Sequence, residues 1–105
     1  MIKHIALFKL KEFAEGADKA ENLRRIAANV KALRENNPQA RLVELGLPKE
    51  YPDPVTKFPY YDVSVCAEFA NEQDYVSYFA SASHIKARDF AAKVSESAAG
   101  ITYEV

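Results

Sequence analysis

The chain has 105 residues, 49% of them hydrophobic and 28% charged, and 14 basic against 15 acidic side chains leave a formal net charge of −1. One domain's length leaves no room for a separate cofactor domain, and the near-neutral balance excludes the concentrated positive field of a nucleic-acid or polybasic membrane surface. A single cysteine cannot close an internal disulfide, and no apolar run approaches the roughly 20 residues of a membrane helix.

Ile2 to Leu10 reads as a strand, with Ile2, His4, Ala6, Phe8 and Leu10 on one face and Lys3, Ile5, Leu7 and Lys9 on the other. Apolar residues stand on both faces at its centre, so the second face needs a cover too. Lys3, Lys9, Lys11, Glu12, Glu15 and Asp18 punctuate the first twenty positions. No secretory leader is expected, and a cytoplasmic location is. Residues 12–17 form a connection containing Gly16. Asp18 with Glu21 makes a capping box. The helix it opens carries Leu23, Ile26, Ala27, Val30 and Leu33 at helical spacing. Lys19, Arg24, Arg25, Lys31 and Arg34 lie mostly off that stripe, as on a solvated face. Asn36, Asn37 and Pro38 stop the helix.

Arg41 to Leu47 is the second strand, with Val43, Leu45 and Leu47 on one face, and Gly46 marks a bulge or a close backbone approach. Pro48 to Tyr60 holds Pro48, Pro52, Pro54 and Pro59, which forbid helix and central strand, together with Tyr51 and Phe58. Tyr61 to Phe69 is the third strand, with Tyr61, Val63, Val65, Ala67 and Phe69 on its apolar face. Asn71 caps a helix that begins at Glu72 and carries Glu72 and Asp74 in its first turn, where the helix dipole favours them. Its apolar stripe is Tyr75, Tyr78, Phe79 and Ala82. Residues 81–83 are a weak point. Beyond them His84, Ala87, Ala91 and Val94 share a face, Gly100 ends the helix, and Ile101 to Val105 is a short last strand.

The weak point decides what Tyr78 and His84 can do together. On one continuous helix six residues advance about 600°, which leaves the two side chains about 120° apart. A bend or restart at Ser81 or Ser83 lets both face one cavity, and such a break is expected. The element order is then a split β-α-β-β-α-β: a ferredoxin-like α+β fold, an antiparallel sheet with both helices on one face. The other face is left bare. Two such sheets packed face to face would close into a homodimeric α+β barrel by two-fold symmetry.

Two stretches carry a resemblance. "MIKHIALFKLKE", with His4 on its strand, and "YYDVSVCAEFANEQDYVSYFASASH" resemble the stress-responsive α/β-barrel family, in the right order over nearly the whole chain. The resemblance implies a single dimeric α+β barrel domain over residues 1–105. It also implies a chemistry, because one plant member closes a linear poly-keto product by aldol condensation. That member uses a tyrosine and a histidine from a stretch of the form Tyr-x-x-His-Pro-x-His. Tyr78 matches that tyrosine, His84 the last histidine, and His4 a pocket histidine on the first strand. Ser81 stands where the pattern has its first histidine and Ala82 where it has proline.

The candidate catalytic pair is therefore Tyr78 and His84. A neutral imidazole can take a proton alpha to a carbonyl near neutral pH, and a phenol can stabilise the oxyanion that develops. His4, Phe8, Val63, Val65 and Phe79 are the expected pocket lining. The bland alternative makes His84 a half-buried residue bonded to backbone, with Tyr78 in the core. Cys66 reads as a small buried thiol. Two histidines and one cysteine without HxH or CxxC spacing build no standard zinc site, and no phosphate loop or nucleophile elbow is present, so neither a metal nor a cofactor is expected. Three readings remain open: a dimeric barrel that binds an apolar or aromatic small molecule, a cofactor-independent lyase, cyclase or isomerase acting on a keto or phenolic compound, and a structural or interaction dimer without a ligand. None involves nucleic acid or a membrane.

Overall fold

Strands β1 (Ile2–Leu10), β2 (Phe13–Ala14) and β3 (Ala17–Asp18) are followed by helix α1 (Lys19–Asn36), strands β4 (Ala40–Gly46) and β5 (Val63–Phe69), helices α2 (Glu72–Ala80) and α3 (Ala82–Val94), and strand β6 (Ser95–Glu104). These elements come from a computed structural model that describes residues 1–50 and 60–105. The loop expectations for Tyr51, Pro52, Pro54, Phe58 and Pro59 lie outside the described residues.

The main sheet runs β4-β5-β1-β6 and is antiparallel throughout. This is the ferredoxin-like order expected from the sequence. β1 is central, with His4 opposite Ala67 on β5 and opposite Thr102 on β6. All three helices cover one face. There Ile2, Leu10, Ile26, Val30, Leu33, Val43, Ala67, Phe69, Tyr78 and Val94 form the buried core. Phe69 and Tyr78 are fully enclosed, and burying a side chain of that size contributes about 1.5–3 kcal/mol. Register places Lys3, Ile5, Leu7 and Lys9 with Cys66, Glu68, Ala99, Ile101 and Tyr103 on the opposite face, which no element of the described residues covers. Ile101 is 59% exposed there. No described helix is long and apolar enough to cross a membrane.

Several local readings change. The connection before α1 is a two-residue hairpin, in which Glu15 and Gly16 both take positive φ (51° and 73°), the backbone of a primed turn. Buried Asn22 donates from Nδ2 to the Ala14 and Ala17 carbonyls (2.9 and 3.4 Å) and so ties this hairpin to α1. Asp18 caps α1, accepting from the Glu21 N–H at 2.9 Å. Ala27 is exposed and Asn22 takes a place in the buried stripe. β4 spans Ala40–Gly46, its irregularity lies between Ala40 and Leu42, and Leu47 is 60% exposed beyond its end. Gly46 makes a close approach instead, since a Cβ there would meet Ser64 Oγ. β5 begins at Val63 because Asp62 is occupied in fixing the end of β1: its N–H donates to the Phe8 carbonyl (2.9 Å), and its Oδ2 accepts from the Leu10 N–H (2.7 Å).

The largest correction concerns the chain after α3. The helix stops at Val94, not Gly100, and residues 95–104 form a ten-residue strand rather than a short one. Ser, Glu and Ala at 95–99 are compatible with helix by propensity. The open edge of β1 offers a ladder of backbone partners from Ile2 to Leu10, and that non-local pairing wins. Gly100 belongs to this ladder, where a Cβ would come within 3.1 Å of the Ile5 carbonyl oxygen.

Candidate functional site

The expected break exists, and Ser81 makes it. Its backbone is extended (φ −68°, ψ 148°) between two helices. Its N–H donates to the Tyr78 carbonyl at 3.1 Å, closing α2. Its hydroxyl donates to the same carbonyl at 2.7 Å and accepts from the His84 N–H at 3.2 Å, opening α3. One residue thus ends one helix and caps the next. A polar network braces the joint from α1. Buried Asn37 donates from Nδ2 to the Leu33 carbonyl (2.9 Å) and to Ser83 Oγ (3.0 Å), and Gln39 Nε2 bridges Asn37 Oδ1 (3.1 Å) and Ser77 Oγ (3.0 Å).

With the helix broken, Tyr78 and His84 face each other, ring centroids 5.0 Å apart. Phe79 packs against both imidazoles, 4.4 Å from His84 and 4.9 Å, edge-on, from His4. His4 Nδ1 lies 2.7 Å from Thr102 Oγ1, which also accepts from the Tyr75 hydroxyl at 3.3 Å. The Thr102 hydroxyl, one donor with two acceptor lone pairs, thus links His4 and Tyr75 and holds the His4 ring in place. His84 Nδ1 is buried and has no hydrogen-bond partner among the described residues.

These groups line a cavity of about 190 Å³ between sheet and helices. The strands contribute His4, Ala6, Phe8 and Val65. α1 contributes Ile26, Asn29, Val30 and Leu33, α2 contributes Tyr78 and Phe79, and α3 contributes His84, Ala87, Arg88 and Ala91. Of the residues singled out from the sequence, Tyr78, His84, His4, Phe8, Val65 and Phe79 come together here. Val63 does not. It is buried on the same sheet face, opposite Phe8, but borders a separate hollow with Leu7, Gly46 and Tyr61. Asn29 and Arg88 were missed. Arg88 had a legible signal, since it stands four residues after His84 and therefore on the same face of α3.

The electrostatics of the cavity follow from the burial of its groups. Burial pushes the Tyr78 hydroxyl up to about 12, so it stays protonated near neutral pH and keeps an O–H to donate. Burial holds His84 below the ordinary imidazole value, assisted by the positive charges of Arg88 and of protonated His4 and opposed by the Phe79 backbone. Burial likewise lowers His4. The site at pH 7 is thus two neutral imidazoles beside a neutral phenol: a base and a donor in one apolar hollow. Among the described residues no three His, Cys, Asp or Glu side chains gather where they could hold a metal ion. Cys66 lies on the far sheet face, and burial pushes its thiol up, away from the reactive thiolate.

Known structures share this architecture. A dimeric protein of unknown function and ferredoxin-like fold from Bacteroides fragilis NCTC 9343 is 26% identical, with 99% of this chain and 95% of that chain covered and a TM-score of 0.72. A Dabb family protein with a ferredoxin-like fold from Mesorhizobium loti is 21% identical over 99% of this chain and 95% of that one, with a TM-score of 0.71. The hydroxynitrile lyase from Passiflora edulis is 14% identical over 99% and 92%, with a TM-score of 0.77. The last two similarities establish the fold alone. No curated protein sequence matches the chain. The model of the Stress responsive A/B Barrel Domain matches residues 2–105, and this chain, with its bare sheet face and its cavity under a broken helix, belongs to that family.

Proposed function

We propose that the cavity binds a small apolar or aromatic molecule carrying a carbonyl or phenolic oxygen. The observation that carries this is the convergence of His4, Tyr78 and His84 on one hollow of about 190 Å³. An apolar cavity of about 150 Å³ accommodates benzene, so a single substituted ring fits here and a longer chain projects from the mouth. The chain works as a homodimer joined through the bare faces of its sheets. The apolar Ile5, Leu7 and Ile101 of that face and the dimeric description of its Bacteroides fragilis neighbour support this. The protein has only two histidines, so their imidazole NMR signals, assigned by single substitution, report on the cavity directly. Acetophenone and phenol should shift the His84 signal. An unmoved His84 with both compounds overturns the reading.

A second reading adds chemistry, and the facing of His84 and Tyr78 across the cavity, ring centroids 5.0 Å apart, favours it. His84 would take a proton from the carbon alpha to a ketone, the C–H electron pair forming the C=C bond and the carbonyl π pair moving onto oxygen, while the Tyr78 hydroxyl hydrogen-bonds the enolate oxygen. That is the first half of an aldol-type lyase or cyclase step and needs no cofactor. The protein should then exchange the methyl protons of acetophenone for deuterium in D2O, and His84→Gln should slow this by roughly 10²–10⁴-fold. Binding without exchange leaves a ligand-binding barrel.

A further inference from the structure

Arg88 is the feature of the cavity that neither reading uses. On α3 it follows His84 by one turn, and with Ala87 and Ala91 it lines the hollow. Its side chain is 60% exposed, so it stands at the mouth rather than in the depth, facing half-buried Asn29 of α1. Among the described residues that line the cavity it is the one permanently charged group, and no carboxylate lines the cavity beside it. Its guanidinium pairs with Asp89, the next residue along, at 3.2 and 3.3 Å. Both side chains of that pair are more than half exposed, and exposed ion pairs of this kind hold weakly in water. The guanidinium is therefore free to exchange Asp89 for a ligand group. Meanwhile the apolar interior has no positive charge of its own, since both imidazoles are neutral near pH 7.

Resting on the cavity reading above, we infer that the ligand is a monocarboxylate: a single-ring-sized apolar body enclosed among Phe8, Val65, Leu33 and Phe79, with its carboxylate at the mouth on the Arg88 guanidinium. The planar fork of arginine matches a carboxylate with two parallel hydrogen bonds. The half-apolar, half-aqueous position suits a molecule whose charged end keeps contact with water while its ring is dry. The cavity volume limits the enclosed part to about one ring, which excludes nucleotides and fatty acids as fully enclosed ligands.

The test compares benzoate with benzyl alcohol, which have the same ring and similar size and differ in charge. Both are titrated at pH 7.5 against the His84 imidazole signal, with the unaltered chain and with Arg88→Gln. Glutamine is a good helix former at this exposed site, so the variant keeps its fold, as circular dichroism verifies. Benzoate should bind about tenfold more tightly than benzyl alcohol to the unaltered chain. In Arg88→Gln the two affinities should become equal within about twofold, with benzyl alcohol unchanged. If benzyl alcohol binds but benzoate binds no better, or if the preference survives in Arg88→Gln, the assignment to Arg88 is overturned while the cavity reading stands. If neither compound moves His84, both fall.

Discussion

Ile5 and Leu7 on one face of β1 are half-buried, and so are Ala6 and Phe8 on the other. The causes are opposite. Ala6 and Phe8 lie under a layer of helices that does not quite close over them, so their partial exposure is the wall of a cavity. No helix or strand among the described residues covers Ile5 and Leu7, and Leu7 borders a shallow hollow with Gly46, Leu47 and Tyr60. All four are half-buried, yet one face encloses a volume the size of a ring and the other is an apolar surface flanked by Lys3–Glu68 and Lys9–Glu96 ion pairs (3.7 and 3.9 Å). Enclosure, rather than the degree of burial, separates a cavity wall from an open surface.

Substitutions can break that distinction. The largest effect belongs to the enclosed side: Tyr78→Ala removes a fully buried aromatic from the cavity wall and should cost about 3–5 kcal/mol in urea denaturation, whereas Tyr78→Phe keeps the ring and should cost far less. A loss below about 1 kcal/mol for the alanine variant would mean that the wall is not packed as described. Next comes the open side. Ile5→Asp puts a charge in the middle of the bare face and should weaken self-association at least tenfold, or about 1.4 kcal/mol, in sedimentation velocity, while the response of His84 to acetophenone persists. A dimer that tolerates the aspartate places the interface elsewhere.

The smallest effect is the pH response of the enclosed imidazoles. His4 and His84 are held below 6.5, the ordinary value that they regain on unfolding. Below that pH the unfolded chain binds more protons than the folded one, so stability is full above about pH 6.5 and falls as the pH drops toward the folded values. Urea midpoints measured between pH 7.5 and 5 should decline, and more gently in His84→Gln. On the open face the carboxylates of Glu68 and Glu96 pair at the surface, where such pairs contribute little. An unaltered slope in His84→Gln would show that His84 is hydrated.

How much of this was legible in the sequence depended on how far each signal reached. The Asp18 and Asn71 caps, the stop at Asn37 and the break at Ser81 are written within a few residues, and the chain obeys them. The convergence of Tyr78 and His84 followed from that local break. The extent of β6 was not legible, because helix-compatible residues at 95–99 are recruited by a strand some ninety positions earlier. The hairpin at Glu15 and Gly16 was hidden for a related reason: a glutamate at positive φ is no turn signal, and buried Asn22, eight residues after Ala14, supplies the missing constraint. Arg88 was passed over because a cation on a helix reads as solvated. Its mouth position depends on the hollow beneath α3, which no periodicity reveals.

Ser81 gives the site a mechanical character. Tyr78 rides on one rod and His84 on another, and a single extended residue is the swivel between them. The angle between the two side chains is therefore set by that residue and by the Asn37 brace behind it, beneath the packing of their rings. Small changes at the swivel retune the pair while both rods and the sheet beneath them stay as they are.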